Sequence, residues 1–471
     1  MAPAQQHLDP LSALDAAFLL QEGPATHMHI GAVAIFDGPP PPFEEVLEHV
    51  RARLDRVPRY RQKLAWPPAG IGRPRWIDDP SFNLEYHVRH AALPAPGGDT
   101  QLRRLIARVH SSRLDRSKPL WELLVVEGLQ DDRFALISKT HHSVVDGVSG
   151  VDITTALFDA DPLSEDDGAP HPWLPHPEPT SAELTAAALT GSVRDLVAAP
   201  VRVLGTIADR TRLRQAAQGV GEAALTVLRP APNSPLNVRI GPHRRVGLVD
   251  TRLEDFKLVK DAFGGTVNDV VLAVTAGALR AWMHGRGVRT DGVELRAAVP
   301  VSTRTRDEAG ALGNRITQLI APLPVDVADP LARLRLVQEA MAGLTESRQA
   351  LGAEIIAGGQ DFAPPTILAQ STRLNFSTRA YNLLVTNIPG PQIPLYLLGR
   401  ELREIYPLAF LAGDRALAVA AMSYNGMVGF GVISDYDRLP DLDVFCEGLR
   451  DSLAEYAALA RRRRRRAVRA G

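Results

Sequence analysis

The chain has 471 residues, 45% hydrophobic and 23% charged, a balance typical of a globular protein of two or three domains. Its 53 basic and 54 acidic side chains give a formal net charge of -1, so the chain as a whole lacks the basic field of a nucleic-acid-binding protein. Seven arginines are concentrated at positions 461–466 and 469, and without those seven charges the remainder carries -8.

The cysteine content and the N-terminus bear on the cellular compartment. The single cysteine, Cys446, excludes an intramolecular disulfide and a multi-cysteine metal site, and it suits a reducing compartment. The segment Met1–Leu14 lacks the basic and apolar regions of a signal peptide, and the chain contains no run of about 18 apolar residues. We therefore expect a cytoplasmic protein with neither an export signal nor a spanning helix.

In chain order, the first informative element is a predicted strand at Arg133–Thr140, which ends at two adjacent histidines. The Pro-rich stretch Ser164–Thr180 then predicts an extended linker. The Ala-rich residues Ser181–Leu228 predict a helical connector that is interrupted at Pro200. The expected organisation is an N-terminal domain at 1–163, a linker and connector at 164–240, a C-terminal domain at 241–460 and an Arg-rich tail at 461–471.

Strand and helix signals also mix in the second half. Asn268–Met283 has helical spacing, and Asn268 or Asp269 is placed to cap its start. Both halves therefore favour an α/β or α+β fold. The predicted strands are Arg296–Val301, Ile316–Leu323, Asn382–Thr386 and Met427–Ser434, and a final amphipathic helix contains Leu442, Phe445, Leu449, Leu453 and Tyr456.

The residues best suited to chemistry are His141 and His142, which precede Asp146-Gly147 by a short fixed interval. An imidazole has an unperturbed pKa of about 6.5 and is the side chain best suited to move a proton near neutral pH. Because adjacent side chains on a strand point to opposite faces, we expect one histidine to be catalytic and the other to be packed or hydrogen-bonded.

Two other interpretations of the histidine pair stay open from the residues alone. In one, the histidines are hydrogen-bonded residues that close a strand, and Asp146 is a helix cap. In the other they bind a metal ion, which needs three or four converging ligands. The chain has neither a cysteine pair nor a His-Glu-x-x-His array, so only the fold could add His27, His29, His87 or His90. We predict no metal site.

Three other segments that could carry chemistry do not match the catalytic or binding motifs they resemble. Gly147-Val148-Ser149-Gly150 is followed by Val151 instead of glycine, so it is not the nucleophile elbow of a serine hydrolase. Gly219-Val220-Gly221 lies in an Ala-rich helical stretch instead of after a strand, which makes it a poor dinucleotide-binding loop. Cys446 falls in the final amphipathic helix, where we expect it to be a buried small apolar residue.

Several short motifs are spread along nearly the whole chain. In the first half they are LSALDAAFLL at Leu11–Leu20, His27-Met28-His29, Pro119-Leu120-Trp121-Glu122 and the histidine array. In the second half they are Ser234–Asn237, Ile240-Gly241, GGTVNDVVLA at Gly264–Ala273, Pro300–Ser302, Leu312–Asn314 and Asn387–Pro391. Through this combination the chain resembles the bacterial wax ester synthase/acyl-CoA:diacylglycerol acyltransferase family. The histidine array alone would be weaker support, because chloramphenicol acetyltransferase-like enzymes and condensation domains have a similar one.

The resemblance implies two chloramphenicol acetyltransferase-like domains that face each other across a tunnel. His142 would act as the general base on the hydroxyl of diacylglycerol or a long-chain alcohol, which attacks the thioester of acyl-CoA. Acyl-CoA would be a co-substrate, and no other cofactor is implied. Asp146 would hold the catalytic loop, and Gly147 would allow the tight turn after it.

The resemblance also suggests supporting residues in the second half. Asn268 would reach the site or fix the interface between the domains, alongside its alternative role with Asp269 at a helix start. Ser302 is a candidate donor to the oxyanion. Trp121 is expected to pack in the core or the tunnel wall.

Lipid substrates imply contact with a membrane or lipid-droplet surface. The run Arg461–Arg466 is suited to anionic headgroups, although a disordered solvated tail is an equal alternative. The connector around Leu184–Leu228 could lie at an interface, but we favour packing on the domains. Two rival functions stay open: a condensation-domain-like enzyme that uses a carrier-protein thioester, and a non-catalytic lipid-binding protein.

Overall fold

A computed structural model describes residues 7–68, 72–144, 156–163, 172–190, 230–302, 316–346 and 380–470. The described strands are β1 (Asp9–Pro10), β2 (His29–Phe36), β3 (Gln62–Ala65), β4 (Arg75–Asp78), β5 (Val88–Ala92), β6 (Trp121–Glu127), β7 (Phe134–His141), β8 (Arg244–Arg252), β9 (Leu295–Ser302), β10 (Ile316–Leu323), β11 (Leu383–Pro389), β12 (Tyr396–Leu397), β13 (Arg400–Leu408), β14 (Leu417–Tyr424) and β15 (Met427–Asp435). The described helices are α1 (Ala13–Gln21), α2 (Phe43–Arg53), α3 (Leu84–His87), α4 (Asp99–Ser111), α5 (181–190), α6 (Leu253–Phe263), α7 (Val267–Gly285), α8 (Pro330–Glu346) and α9 (Leu442–Ala470).

Two six-stranded sheets organise the two halves of the chain. The first has the order β12-β13-β2-β7-β6-β5 and is antiparallel except for the β5–β6 pair. The second has the order β10-β9-β11-β14-β15-β8, in which β11 is parallel to both of its neighbours. Both halves contain strands and helices, which confirms the predicted α/β or α+β class.

The second half of the chain contributes two strands to the first sheet. β12 and β13 follow β11 in the chain, but they pair with strands of the first sheet. β13 runs antiparallel to β2, with Tyr406 opposite Val33. It also lies directly against β15 of the second sheet, where a Cβ atom on Gly431 would come within 1.8 Å of the Pro407 carbonyl oxygen. Only glycine allows this approach. The domain boundaries remain a prediction, and these two strands belong to the first sheet although they fall within the range 241–460.

The strands and helices predicted around the site residues are largely confirmed. β7 begins and ends one residue later than the predicted strand, so His141 is its last residue. α7 covers the predicted helix, but its N-cap is Thr266 instead of Asn268 or Asp269. The Thr266 side chain accepts a hydrogen bond from the Asp269 N–H, and the Asp269 carboxylate accepts one from the Thr266 N–H. The pattern placed the cap too late because a capping box begins three residues before its acidic member.

The Pro-rich linker packs against a small third sheet, β1-β4-β3, over its described part, residues 172–180. The Trp173 indole N–H donates to the Asp79 carbonyl oxygen (3.3 Å), and the Arg61 guanidinium lies over the same indole ring. His176 hydrogen-bonds the Asp78 carboxylate through Nδ1 (2.6 Å). This part of the linker is therefore held by specific contacts. The first ten residues of the predicted connector, 181–190, form α5, and the rest, from 191 to 229, with Pro200 and Gly219, lies outside the described residues.

α9 is the final predicted helix, and it is longer than the pattern indicated. Its buried face contains the five expected residues, Leu442, Phe445, Leu449, Leu453 and Tyr456, and buries Cys446 as well. The helix continues through Ala470, and residues 461–468 on it are exposed. The alternative of a disordered tail is therefore wrong for Arg461–Arg466.

Among the described helices, no single one is both long and apolar enough to cross a bilayer. α6 and α7 reach that length and composition only as a pair, and the pair is bent by 101°.

Candidate active site

The two histidines lie where β7 leaves the centre of the first sheet. His141 pairs with His29 of β2, and the His142 N–H donates to the Met28 carbonyl oxygen (3.0 Å). The sheet therefore fixes the backbone of both histidines through the same neighbouring strand. Their rings lie in different surroundings, as the alternation of side chains along a strand predicts.

His142 lies in an aromatic setting. Its ring stacks on Phe18 with 3.9 Å between centroids and 25° between planes, and Phe410 meets it edge-on at 5.6 Å. Nδ1 is enclosed and has no hydrogen-bond partner on another described residue, whereas the residue as a whole is only half-buried. Burial lowers the pKa of His142 to about 4, so the imidazole is neutral at pH 7 and able to accept a proton.

His141 lies in a polar setting. Its Nδ1 accepts a hydrogen bond from the Ser143 backbone N–H (3.1 Å) and lies 2.7 Å from the Ser143 hydroxyl oxygen. This places the ring proton on Nε2, which is buried without a partner among the described residues. Burial lowers the pKa of His141 to about 3. The ring is therefore held as a neutral, hydrogen-bonded side chain, the role expected of the packed histidine.

Further histidines lie behind His141 in the interior. The His29 ring is edge-on to His141 at 6.1 Å, and its Nε2 lies 3.7 Å from the buried Glu22 carboxylate. Desolvation, and then the charge of buried Lys139, lower the pKa values of His29 and His110 well below the ordinary value. The region behind β7 is therefore an enclosed polar layer of neutral imidazoles next to one lysine.

Of the other predicted site residues, the structure describes Asn268 and Asp269 in full and only the backbone of Ser302. Asp146 and Gly147 lie outside the described residues. Asn268 is half-buried in the first turn of α7, and Asp269 next to it is engaged in the capping box. Among the described residues, no hydrogen bond joins either of them to His142. Ser302 is the last residue of β9, where it pairs with Ile316 in β10, and its side chain lies outside the described part.

Sequence reasoning missed the two aromatic neighbours of His142. Phe18 lies within the motif at Leu11–Leu20, but no spacing rule connects α1 to the end of β7. Phe410 follows β13 in a short buried apolar stretch that has no period of its own. Trp121, in contrast, is fully buried as expected, and its indole N–H donates to the Tyr60 carbonyl oxygen (2.7 Å).

Within the described residues, one group of side chains has metal-binding composition: His7, Asp78 and His176, whose ligand atoms lie within 4.8 Å of one another. The two imidazole rings are stacked, with 4.7 Å between centroids and 27° between planes. Two nearly parallel rings cannot aim their in-plane lone pairs at one ion about 2 Å from each. His7 Nδ1 also accepts a hydrogen bond from the Asp78 N–H (3.3 Å). The group therefore works as a set of contacts to Asp78.

Comparison with known families identifies the chain. Residues 11–271 match the model of the wax ester synthase/diacylglycerol acyltransferase catalytic domain. Residues 312–457 match the model of the C-terminal domain of the same proteins. The chain belongs to the wax ester synthase/diacylglycerol acyltransferase family. It is accordingly an acyltransferase. His142 and Phe18 lie within the segment that matches the catalytic domain, and Phe410 lies within the segment that matches the C-terminal domain.

Full-length relatives support this assignment. The chain is 34% identical over 472 residues to the probable diacyglycerol O-acyltransferase tgs1 of Mycobacterium tuberculosis, with 97% of each chain covered. It is also 34% identical to the probable diacyglycerol O-acyltransferase tgs2 of the same organism over 463 residues, which cover 95% of this chain and 98% of the relative.

Solved structures show the same architecture. The wax ester synthase/diacylglycerol acyltransferase from Marinobacter aquaeolei VT8 is similar with a TM-score of 0.66 and 28% identity, over 96% of this chain and 100% of that one. The first condensation domain of the calcium-dependent antibiotic synthetase matches with a TM-score of 0.57 at 15% identity, over 97% of each chain. The second likeness shows a shared fold and carries no statement about activity.

Proposed function

We propose that this enzyme transfers a long-chain acyl group from acyl-CoA to the hydroxyl of diacylglycerol, of a long-chain fatty alcohol, or of both. The observation that carries the proposal is the neutral imidazole of His142, held at the end of β7 with one nitrogen enclosed and the residue only half-buried. The two mycobacterial relatives carry names for the first of these reactions. The Marinobacter structure carries a name that covers both.

In the proposed reaction, His142 alone carries the proton from the acceptor hydroxyl to the CoA thiolate. His142 accepts the proton of the acceptor hydroxyl as the hydroxyl oxygen attacks the thioester carbonyl carbon. The tetrahedral intermediate then breaks its carbon–sulfur bond, and the CoA thiolate takes the proton back from the imidazolium. General-base assistance of this kind typically contributes about 10² to 10⁴ in rate. Acyl-CoA enters this scheme as a co-substrate, and the scheme uses no metal ion or other cofactor.

Other residues have supporting roles in the proposal. Asp146 and Gly147 shape the loop that follows the histidines, and His141 anchors the strand end through Ser143. Asn268 supports the site from the second half, and Ser302 donates to the oxyanion. One such donor typically contributes roughly 10² to 10³ in rate.

The test is the release of CoA thiol from palmitoyl-CoA by purified protein, with dipalmitoylglycerol, with hexadecanol and with no acceptor. We expect acceptor-dependent release that is lost in His142→Ala. The matched control is His90→Ala, which removes an exposed imidazole that stacks on Phe43, and it should keep the activity. Equal activity of His142→Ala and wild type would exclude the general base. A parallel assay supplies a palmitoyl carrier-protein thioester in place of palmitoyl-CoA, and acyl transfer from that thioester alone would favour a condensation-type reaction instead.

We further propose that the enzyme works peripherally at the cytoplasmic face of a membrane or at lipid droplets. The support is the basic end of α9, where residues 461–468 are exposed on a helix. Arg461 pairs with Asp255 of α6 (2.5 Å), and the Arg463 guanidinium lies over Phe263 at 5.4 Å. These contacts hold the helix end against α6.

Vesicle sedimentation tests the membrane proposal. Each arginine near an anionic surface contributes about 1 kcal/mol, so Arg462→Gln/Arg466→Gln should weaken binding to phosphatidylglycerol vesicles about 30-fold. Binding to neutral phosphatidylcholine vesicles should be weak for both proteins. Equal binding of wild type and variant to the anionic vesicles would show that the basic end of α9 is not the contact.

A further inference from the structure

The imidazole of His142 is enclosed by two phenylalanine side chains that come from opposite halves of the chain. Phe18 belongs to α1 and stacks on one face of the ring at 3.9 Å. Phe410 follows β13 and meets the ring edge-on at 5.6 Å, with 87° between planes. The two phenylalanines also touch each other edge-on at 6.0 Å. The three rings therefore form one aromatic cluster.

The position of each phenylalanine is fixed independently of His142. α1 is capped by Ser12, whose hydroxyl oxygen accepts from the Asp15 N–H, and Phe18 on this helix is 5% exposed. Phe410 is 9% exposed and lies two residues beyond Leu408, which pairs with Gly31 of β2. Because β13 pairs with β2 in the first sheet, Phe410 comes to lie next to His142.

Among the described residues, no other residue forms a hydrogen bond with the enclosed Nδ1 of the His142 ring. Burial lowers the pKa of His142, and a hydrogen bond to its own backbone partly offsets this effect. The backbone hydrogen bond to Met28 fixes the main chain but leaves the rotation of the side chain free. The aromatic contacts are thus the described contacts that restrain the ring, and stacked and edge-on geometries are the favourable ones for such pairs.

We propose that Phe18 and Phe410 are positioning residues. Together they form an aromatic clamp, one ring stacked on the His142 imidazole and the other perpendicular to it, that holds the imidazole in its reactive orientation and keeps water from the enclosed Nδ1. This inference rests on the proposed function, in which His142 is the general base. Phe410 reaches the site because β13 of the second half pairs with the first sheet. The orientation of His142 therefore also depends on the correct docking of the two halves.

Substitution by leucine tests the clamp, because leucine keeps much of the apolar volume but lacks the aromatic face. We expect Phe18→Leu and Phe410→Leu each to lower kcat by roughly 3- to 10-fold, the rate equivalent of losing one aromatic pair, with little change in KM for acyl-CoA. The midpoint of the acid limb of the kcat/KM profile should move to higher pH, because water that reaches the ring raises the pKa of His142. Burial is the main cause of the low pKa of His142. The neighbouring titratable group, His141, whose own pKa is lowered in part by His142, is unchanged in these variants.

The matched control is Phe36→Leu. Phe36 is fully buried and stacks on Phe134 at 5.1 Å, in the core of the same half and outside the aromatic cluster. It should lower the melting temperature without moving the acid limb. Phe18→Tyr, which restores an aromatic face, should recover most of the kcat that Phe18→Leu loses.

The outcomes separate the clamp from the function on which it rests. Loss of activity in His142→Ala, together with an unchanged acid limb and kcat in both leucine variants, would overturn the clamp and leave the general base in place. An equal shift of the acid limb in Phe36→Leu would also overturn it, because the effect would then be general loosening. Full activity in His142→Ala would remove the basis of both.

Discussion

The environment of His142 predicts an unusual pH dependence of activity. An ordinary histidine with a pKa of about 6.5 is roughly 90% protonated at pH 5.5 and is then unable to act as a base. Burial beside Phe18 and Phe410 lowers the pKa of His142 to about 4, so that only about 3% is protonated at the same pH. The difference corresponds to about 3 kcal/mol of free energy, since each unit of pKa is worth about 1.4 kcal/mol.

The assay is kcat/KM for palmitoyl-CoA, measured from pH 4 to pH 8 at a fixed acceptor concentration well below saturation, so that the ratio reports the free enzyme. We expect activity at pH 5.5 to stay close to that at pH 7 and to fall only near pH 4. Circular dichroism at each pH provides the control for unfolding. A folded enzyme whose acid limb has its midpoint near 6.5 would refute the argument that the aromatic pocket keeps the general base neutral.

Three more predictions follow from buried groups. The folded-state pKa values of His87 (about 4) and His141 (about 3) lie below the value of an unfolded histidine, so the protein takes up protons when it unfolds. The melting temperature should therefore fall as the pH drops from 6.5 towards 4, and a flat profile by differential scanning fluorimetry would contradict this. Gly431→Val would force a side chain against the Pro407 carbonyl oxygen and should cost roughly 1 to 3 kcal/mol in urea unfolding as well as activity; wild-type stability would argue against the close approach of β13 and β15. Burial raises the pKa of the Cys446 thiol to about 12, so a thiol reagent should label it only after denaturation, and fast labelling of folded protein would show that α9 opens.

The amino-acid sequence determined the local elements and the identity of the reactive residues. A short apolar run set β7 and placed His141 and His142 at its end, and helical spacing set α7 and the buried face of α9. These features could be predicted because they depend on the period of apolar residues over a few turns or one strand. Local rules were less accurate at ends, as the shift of the α7 cap from Asn268 to Thr266 shows.

The tertiary structure alone decided the surroundings of those residues. Nothing in the composition of the linker indicated that Trp173 would dock on the small sheet. Nothing in the periodicity indicated that β13 would cross into the first sheet and bring Phe410 to His142. Strand pairing and side-chain burial join residues that are far apart in the chain, and desolvation depends on what surrounds a group from every direction. The sequence could therefore name the histidine, whereas its pKa and orientation follow from contacts that only the folded chain creates.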